Sequence, residues 1–176
     1  MAKHYKIVKR NGEIVPLDST KIRQVIEWAA EDLNINTIEL ESNLHLRFRN
    51  NMTTKEIQEN LIDTSLQLTS IEEPDWKILA ARLRSNDLYK DVKVEKKYDV
   101  FGYDEYLQHV KSSVAEGLYD SVITELYTEK EIMEAGTFLN KEHDMEFDYA
   151  GAKLMIHRYL ITRGDTPWEL PQEAFL

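Results

Sequence analysis

The chain has 176 residues, 42% of them hydrophobic, which is enough for one ordinary domain or two small ones, and it contains no cysteine. That excludes a disulfide framework, a cysteine zinc site, a thiol nucleophile and thiyl radical chemistry within these residues. A net charge of −10 argues against a nucleic-acid partner, and no apolar run approaches the roughly 20 residues that span a bilayer. The start Met1-Ala2-Lys3-His4-Tyr5 has no apolar leader pattern, so the expected location is the cytoplasm.

In chain order, Tyr5 to Val15 reads as a β-hairpin. Short β-branched runs flank Asn11-Gly12, the pair that best suits a type I′ turn, and Pro16 ends the second strand. Asp18 or Ser19 caps a helix whose positions Ile22, Val25, Ile26, Ala29, Ala30 and Leu33 form one apolar stripe. Leu40 and Leu44 suit a second helix, although Leu44, Leu46 and Phe48 alternate, so that helix is expected to fray before Asn50-Asn51. Thr53 and Glu56 have the spacing of a capping box and open a third helix carrying Ile57, Leu61 and Leu68.

Pro74 fits the first turn of a fourth helix, with Trp76, Leu79, Ala80 and Leu83 on its buried side. No stripe continues through residues 91–97, so this helix is expected to fade near Lys90, with a domain boundary between about 90 and 100. Beyond it, Tyr103, Tyr106, Leu107, Val110, Val114 and Leu118 make another stripe, and Thr128 with Glu131 a second capping box. A further helix is expected from Phe147 to Ile161, stopping at Arg163-Gly164-Asp165. The apolar end Ala174-Phe175-Leu176 looks like a helix just beginning, as in a truncated or split chain.

Lys9 and Arg10 stand at the hairpin tip, and Lys21 lies in the first turn of the next helix, where free N–H groups and the helix dipole favour an anion. A hairpin folded over that helix start would gather the charge and directional donors that a triphosphate needs. The alternative is that these are solvated surface cations. There is no Gly-rich phosphate loop, no metal-ligand spacing among His4, His45, His109, His143 and His157, and no catalytic constellation. Glu142, Asp144, Glu146 and Asp148 read as a solvated acidic loop rather than a cation site.

The run Ile7-Val8-Lys9-Arg10-Asn11-Gly12 with Val15-Pro16-Leu17-Asp18-Ser19-Thr20-Lys21-Ile22 resembles the signature of the ATP-cone, a regulatory domain of ribonucleotide reductases. Thr53-Thr54-Lys55-Glu56-Ile57 and residues 74–83 are similar to the later helices of that domain, in the right order. Tyr119-Asp120, residues 127–131 and residues 147–160 resemble the helical region that precedes the catalytic barrel in class I large subunits.

The resemblance implies a mainly α fold: an ATP-cone (a β-hairpin plus a four-helix bundle) over 1–95, then a truncated all-helical segment over 96–176 without the barrel. It implies binding of ATP as activator or dATP as inhibitor, with Mg2+, controlling activity through homo-oligomer assembly. Lys9, Arg10, Lys21 and Lys90 would hold phosphates. Val15 to Asp18 with Ile22 would line the base and sugar pocket, Thr54 would add a polar contact, and Gln58 stands one turn on. The implied partners are a radical-generating small (beta) subunit and the remainder of the large subunit. Without the catalytic cysteines the chain alone is expected to be inactive. A related repressor would carry a zinc ribbon, which a cysteine-free chain cannot form. A helical interaction module without a nucleotide remains the other reading.

Overall fold

A computed structural model describes residues 5–96 and 105–176, and the expected positions His4, Lys97 and Tyr103 lie outside them. Strands β1 (Lys6–Val8) and β2 (Ile14–Pro16) form the opening hairpin, with Ile7 opposite Val15. Its turn differs from the expected type I′, which needs positive φ at both central residues. Among the described non-glycine residues only Asp32 and Asn51 have positive φ, so Asn11 does not. Instead, the Gly12 N–H donates to Lys9 O and the Lys9 N–H to Glu13 O, both at 2.9 Å, with Gly12 at φ 83°. This is the longer hairpin loop in which a left-handed glycine follows the turn, and it places Arg10 and Asn11 at the turn's centre.

The sequence reading contained no third strand, yet β3 (Met52–Thr53) pairs parallel to β1, giving the order β2-β1-β3. Val8 stands opposite Thr53. Asn51, at φ 63°, donates its N–H to Lys6 O at 2.8 Å, and the Asn50 side chain accepts from the Lys6 N–H at 3.0 Å. Asparagine tolerates the left-handed region, so the Asn50-Asn51 pair turns the chain onto the sheet edge.

Four helices follow the stripes already described. α1 (Ser19–Ala29) is capped by Asp18, which accepts from the Thr20 N–H at 3.0 Å. α2 (Thr37–His45) resolves the ambiguous stretch as helix, with Leu40 and Leu44 buried. α3 (Thr54–Leu68) opens on the expected capping box, Thr53 with Glu56. α4 (Trp76–Lys96) does not fade at Lys90. Its later turns present Leu88, Val92 and Lys96 at i, i+4 and i+8, all buried, and the third is a lysine, so no apolar stripe is visible.

The chain divides into two compact units, Met1–Asp87 with Asp148–Ala150, and Leu88–Phe147 with Gly151–Leu176. The core of the first holds Ile26, Leu40, Leu44, Leu61, Ile62, Trp76, Leu79 and Leu83.

In the second unit α5 (Tyr106–Ala115), α6 (Val122–Leu126), α7 (Glu129–Gly136) and α8 (Tyr149–Leu154) supply the helices, α7 on its expected Thr128–Glu131 box. A π turn, Met155–Tyr159, prolongs α8, so the expected helix over Phe147 to Ile161 is shorter and irregular. The unit is not wholly helical: β4 (Thr162–Arg163) and β5 (Thr166–Pro167) form a tight hairpin with Gly164 at φ 63°. The final expected helix is a single 3₁₀ turn, Glu173–Phe175. Asp144 is not part of a solvated loop: it is buried and accepts from the Tyr89 hydroxyl and, at 3.0 Å, from the Gln172 amide.

Candidate nucleotide site

The parallel β1–β3 pair organises the first unit. Because Val8 is opposite Thr53, the chain leaves β1 towards Lys9 and Arg10 where α3 begins at Thr54. That helix start is built by its own cap. Thr53 Oγ1 accepts from the Glu56 N–H at 3.0 Å, and Glu56 Oε2 accepts from the Thr53 N–H at 2.8 Å. These Thr53 hydrogen bonds hold the Glu56 carboxyl below the usual range, with Arg49 adding to the effect.

The basic tip residues have different surroundings. Lys9 Nζ meets Glu13 Oε2 at 2.7 Å in an exposed i,i+4 pair, and Lys9 holds the Glu13 carboxyl below its ordinary value. Arg10 reaches much further along the chain, pairing through Nη2 with Asp87 Oδ1 on α4. The side chain of Asp87 is only 4% exposed. Its second oxygen lies 3.8 Å from Arg84 Nη1, and Arg84 is clasped by Glu59 through two bonds of 2.6 and 2.7 Å. Burial alone would lower the pKa of Arg84, but hydrogen bonds to Glu59 and Tyr149 raise it above arginine's ordinary value.

Of the other candidate positions, Val15 lies half-buried in β2 and Asp18 is the cap of α1. Lys21 and Ile22 follow in the first turn of α1. Lys21 is exposed and has no ion-pair partner among the described residues, while Ile22 packs on the core. Thr54 is the first residue of α3. Gln58 is buried, and its Nε2 donates to Leu83 O at 2.8 Å, tying α3 to α4. Thus Arg10, Gln58 and the Leu83–Asp87 stretch of α4 are joined by contacts, whereas Lys90 belongs to the second unit. Asp87, Arg84 and Glu59 were absent from the sequence reading. Their signal was weak: an i,i+3 Arg–Asp pair on an otherwise buried helix.

The second unit holds another group of titratable side chains that sequence reasoning missed. Lys96 Nζ meets both oxygens of Glu173 at 2.9 and 3.1 Å, fully buried. The Tyr119 hydroxyl donates to Glu169 Oε2 at 2.6 Å, so it accepts from His109 Nε2 at 3.0 Å, which fixes the Nε2–H tautomer. His109 Nδ1 is buried with no hydrogen-bond partner among the described residues. Burial, and then the nearby Lys96 charge, push the His109 pKa down to about 2. Burial pushes Lys96 down and Glu173 up, each opposed by the charge of the other. Tyr106, Tyr119, Glu169 and Glu173 line a cavity of about 860 Å³ whose rim includes the exposed Tyr127, Phe138 and Tyr159.

Residues 5–91 match the ATP cone domain family. The chain is 43% identical, over 97% of its length, to the ribonucleoside-diphosphate reductase subunit alpha of Synechocystis sp.. It is 36% identical over 97% to the subunit alpha of Helicobacter pylori, and 34% identical over 92% to the ribonucleoside-diphosphate reductase 1 subunit alpha of Escherichia coli. In each case it spans 21% of the relative's length. With its ATP-cone domain and this alignment along nearly all its residues, the chain belongs to the ribonucleotide reductase alpha-subunit family, matching its N-terminal part.

Proposed function

We propose that residues 1–95, which comprise the first unit as far as Asp87 and continue along α4, form the allosteric cone of a ribonucleoside-diphosphate reductase large subunit, binding ATP to sustain activity and dATP to suppress it. The supporting observation is the β1–β3 pairing, which sets the basic hairpin tip beside the capped start of α3. Lys9, Arg10 and Lys21 hold the phosphates, accompanied by Mg2+, and Lys90 adds a fourth cation. Val15 to Asp18 with Ile22 receive base and sugar. Thr54 contributes a hydroxyl. Gln58, one turn on, offers its amide oxygen and the N–H that its bond to Leu83 leaves over.

The cone corresponds to residues 1–95 and the start of the catalytic subunit to 96–176. The whole protein reduces ribonucleotides in the cytoplasm, with a radical-generating small subunit, as a homo-oligomer whose assembly state the effector selects. The apolar rim of the second unit suits cover by the remainder of the large subunit. The chain alone, without cysteine, performs no reduction.

Isothermal titration calorimetry with ATP and dATP, with and without magnesium, tests this reading. Micromolar binding that is lost in Lys9→Ala and Lys21→Ala is expected. Absence of binding to either nucleotide would overturn it in favour of a helical interaction module.

A further inference from the structure

Each cation at the hairpin tip already has a carboxylate, but the two carboxylates are not equivalent. The Lys9–Glu13 pair is open to water on both sides, with side-chain exposures of 43 and 54%, so an incoming anion displaces it with little resistance. The Arg10–Asp87 pair is mostly desolvated, at 21 and 4%. A buried carboxylate that loses its cation pays a large penalty unless another cation takes over. One is at hand. Arg84 Nη1 lies 3.8 Å from the second Asp87 oxygen, too far for a strong bond and near enough to close on it. Glu59 meanwhile holds Arg84 with two short bonds.

We infer that Asp87 is a built-in competitor for the nucleotide's phosphates, holding Arg10 in the empty cone and passing to Arg84 when a triphosphate takes Arg10. This rests on the nucleotide reading above and adds a regulator to that site. Asp87 acts through Arg10 and touches no ligand, so it is a positioning residue. It lowers apparent affinity because only the fraction of molecules with Arg10 released is competent to bind. The Glu59–Arg84–Asp87 chain then reports occupancy of the hairpin to α3 and α4, the helices that Gln58 and Leu83 already join.

Calorimetry on the full chain separates the possibilities, with ATP and inorganic triphosphate as probes. Asp87→Asn keeps the shape and removes the charge, and it should tighten both probes by about three- to tenfold, the scale of removing a conformational tax of this kind. Glu13→Gln removes the same charge from the exposed pair at the same hairpin and should change affinity less than about twofold. An unchanged or weaker Asp87→Asn, or an equal gain in Glu13→Gln, would overturn the inference and leave the nucleotide site standing. Binding by Asp87→Asn alone would support both readings, and binding by neither protein would overturn the site itself.

A second readout needs no substitution. The Arg84 Nε–H is buried without a hydrogen-bond partner among the described residues, which favours a slowly exchanging, resolved NMR signal. It should shift on ATP addition together with that of Arg10. A stationary Arg84 signal beside a shifting Arg10 signal would remove the hand-over from the account.

Discussion

Val8 stands opposite Thr53 in a parallel pair, and Thr53 is at the same time the residue that caps α3. One residue therefore fixes both a sheet edge, through its backbone, and a helix start, through its side chain. Thr53→Ala removes the acceptor of the Glu56 N–H and should cost about 1 kcal/mol, whereas Thr53→Ser should recover most of it. Urea denaturation of the two variants checks the ranking, and equal losses would mean that the methyl group rather than the hydroxyl matters.

Gln58 is buried with its amide on Leu83 O. Gln58→Ala loses that hydrogen bond and opens a cavity, so destabilisation of about 2 kcal/mol is expected. Because its role in the fold is separate from phosphate charge, the variant should weaken ATP less than Lys21→Ala does. Paired thermal melts and titrations distinguish the two effects.

Gly136 lies where α7 touches α5. A Cβ there would sit 2.8 Å from Tyr106 Cβ, which is not the yielding end of a side chain. Gly136→Ala should therefore destabilise the second unit by about 1–3 kcal/mol, although alanine is the better helix former. A gain in melting temperature would show that the helices can separate freely.

Lys96→Met leaves Glu173 buried without its counter-charge, and a loss of about 3–5 kcal/mol is expected. The double variant Lys96→Met with Glu173→Gln should be more stable than that single variant, since the orphaned charge is gone. Additive losses in a double-mutant cycle would contradict the pairing.

His109 gives the second unit a pH dependence with a definite sign. Its pKa is lowered from 6.5 to about 2 in the fold, so between those values the unfolded chain binds a proton that the folded chain refuses. Stability fully present above about 6.5 is then lost as pH falls, with a slope up to about 1.4 kcal/mol per pH unit. His109→Gln should flatten that slope relative to the parent between pH 7 and 5. Tyr119, Glu173 and Lys96 face the ring, and only the difference between the two proteins isolates His109.

Much of the first unit was legible because its signals are local. The stripe of α1, the Thr53–Glu56 box and the tight packing of Trp76, Leu79, Ala80 and Leu83 each depend on residues within a few turns. β3 escaped because a two-residue parallel strand has no period, and only its partner 45 residues away defines it. The continuation of α4 escaped because its buried face ends in a lysine satisfied by Glu173, a contact that spans 77 positions. The expected cations of the site could be named from resemblance, but Asp87 and Arg84 could not. Their importance comes from desolvation, and desolvation depends on which distant segments cover a side chain.

α4 contributes residues to both compact units, with Trp76 to Asp87 in one and Leu88 to Lys96 in the other. Neither unit can lose its share without fraying a helix on which the other depends. Cooperativity is thereby imposed along the backbone itself: amide protons from Leu79 to Val92 should exchange as a single slow block, and a glycine placed at the Asp87–Leu88 junction should divide one melting transition into two.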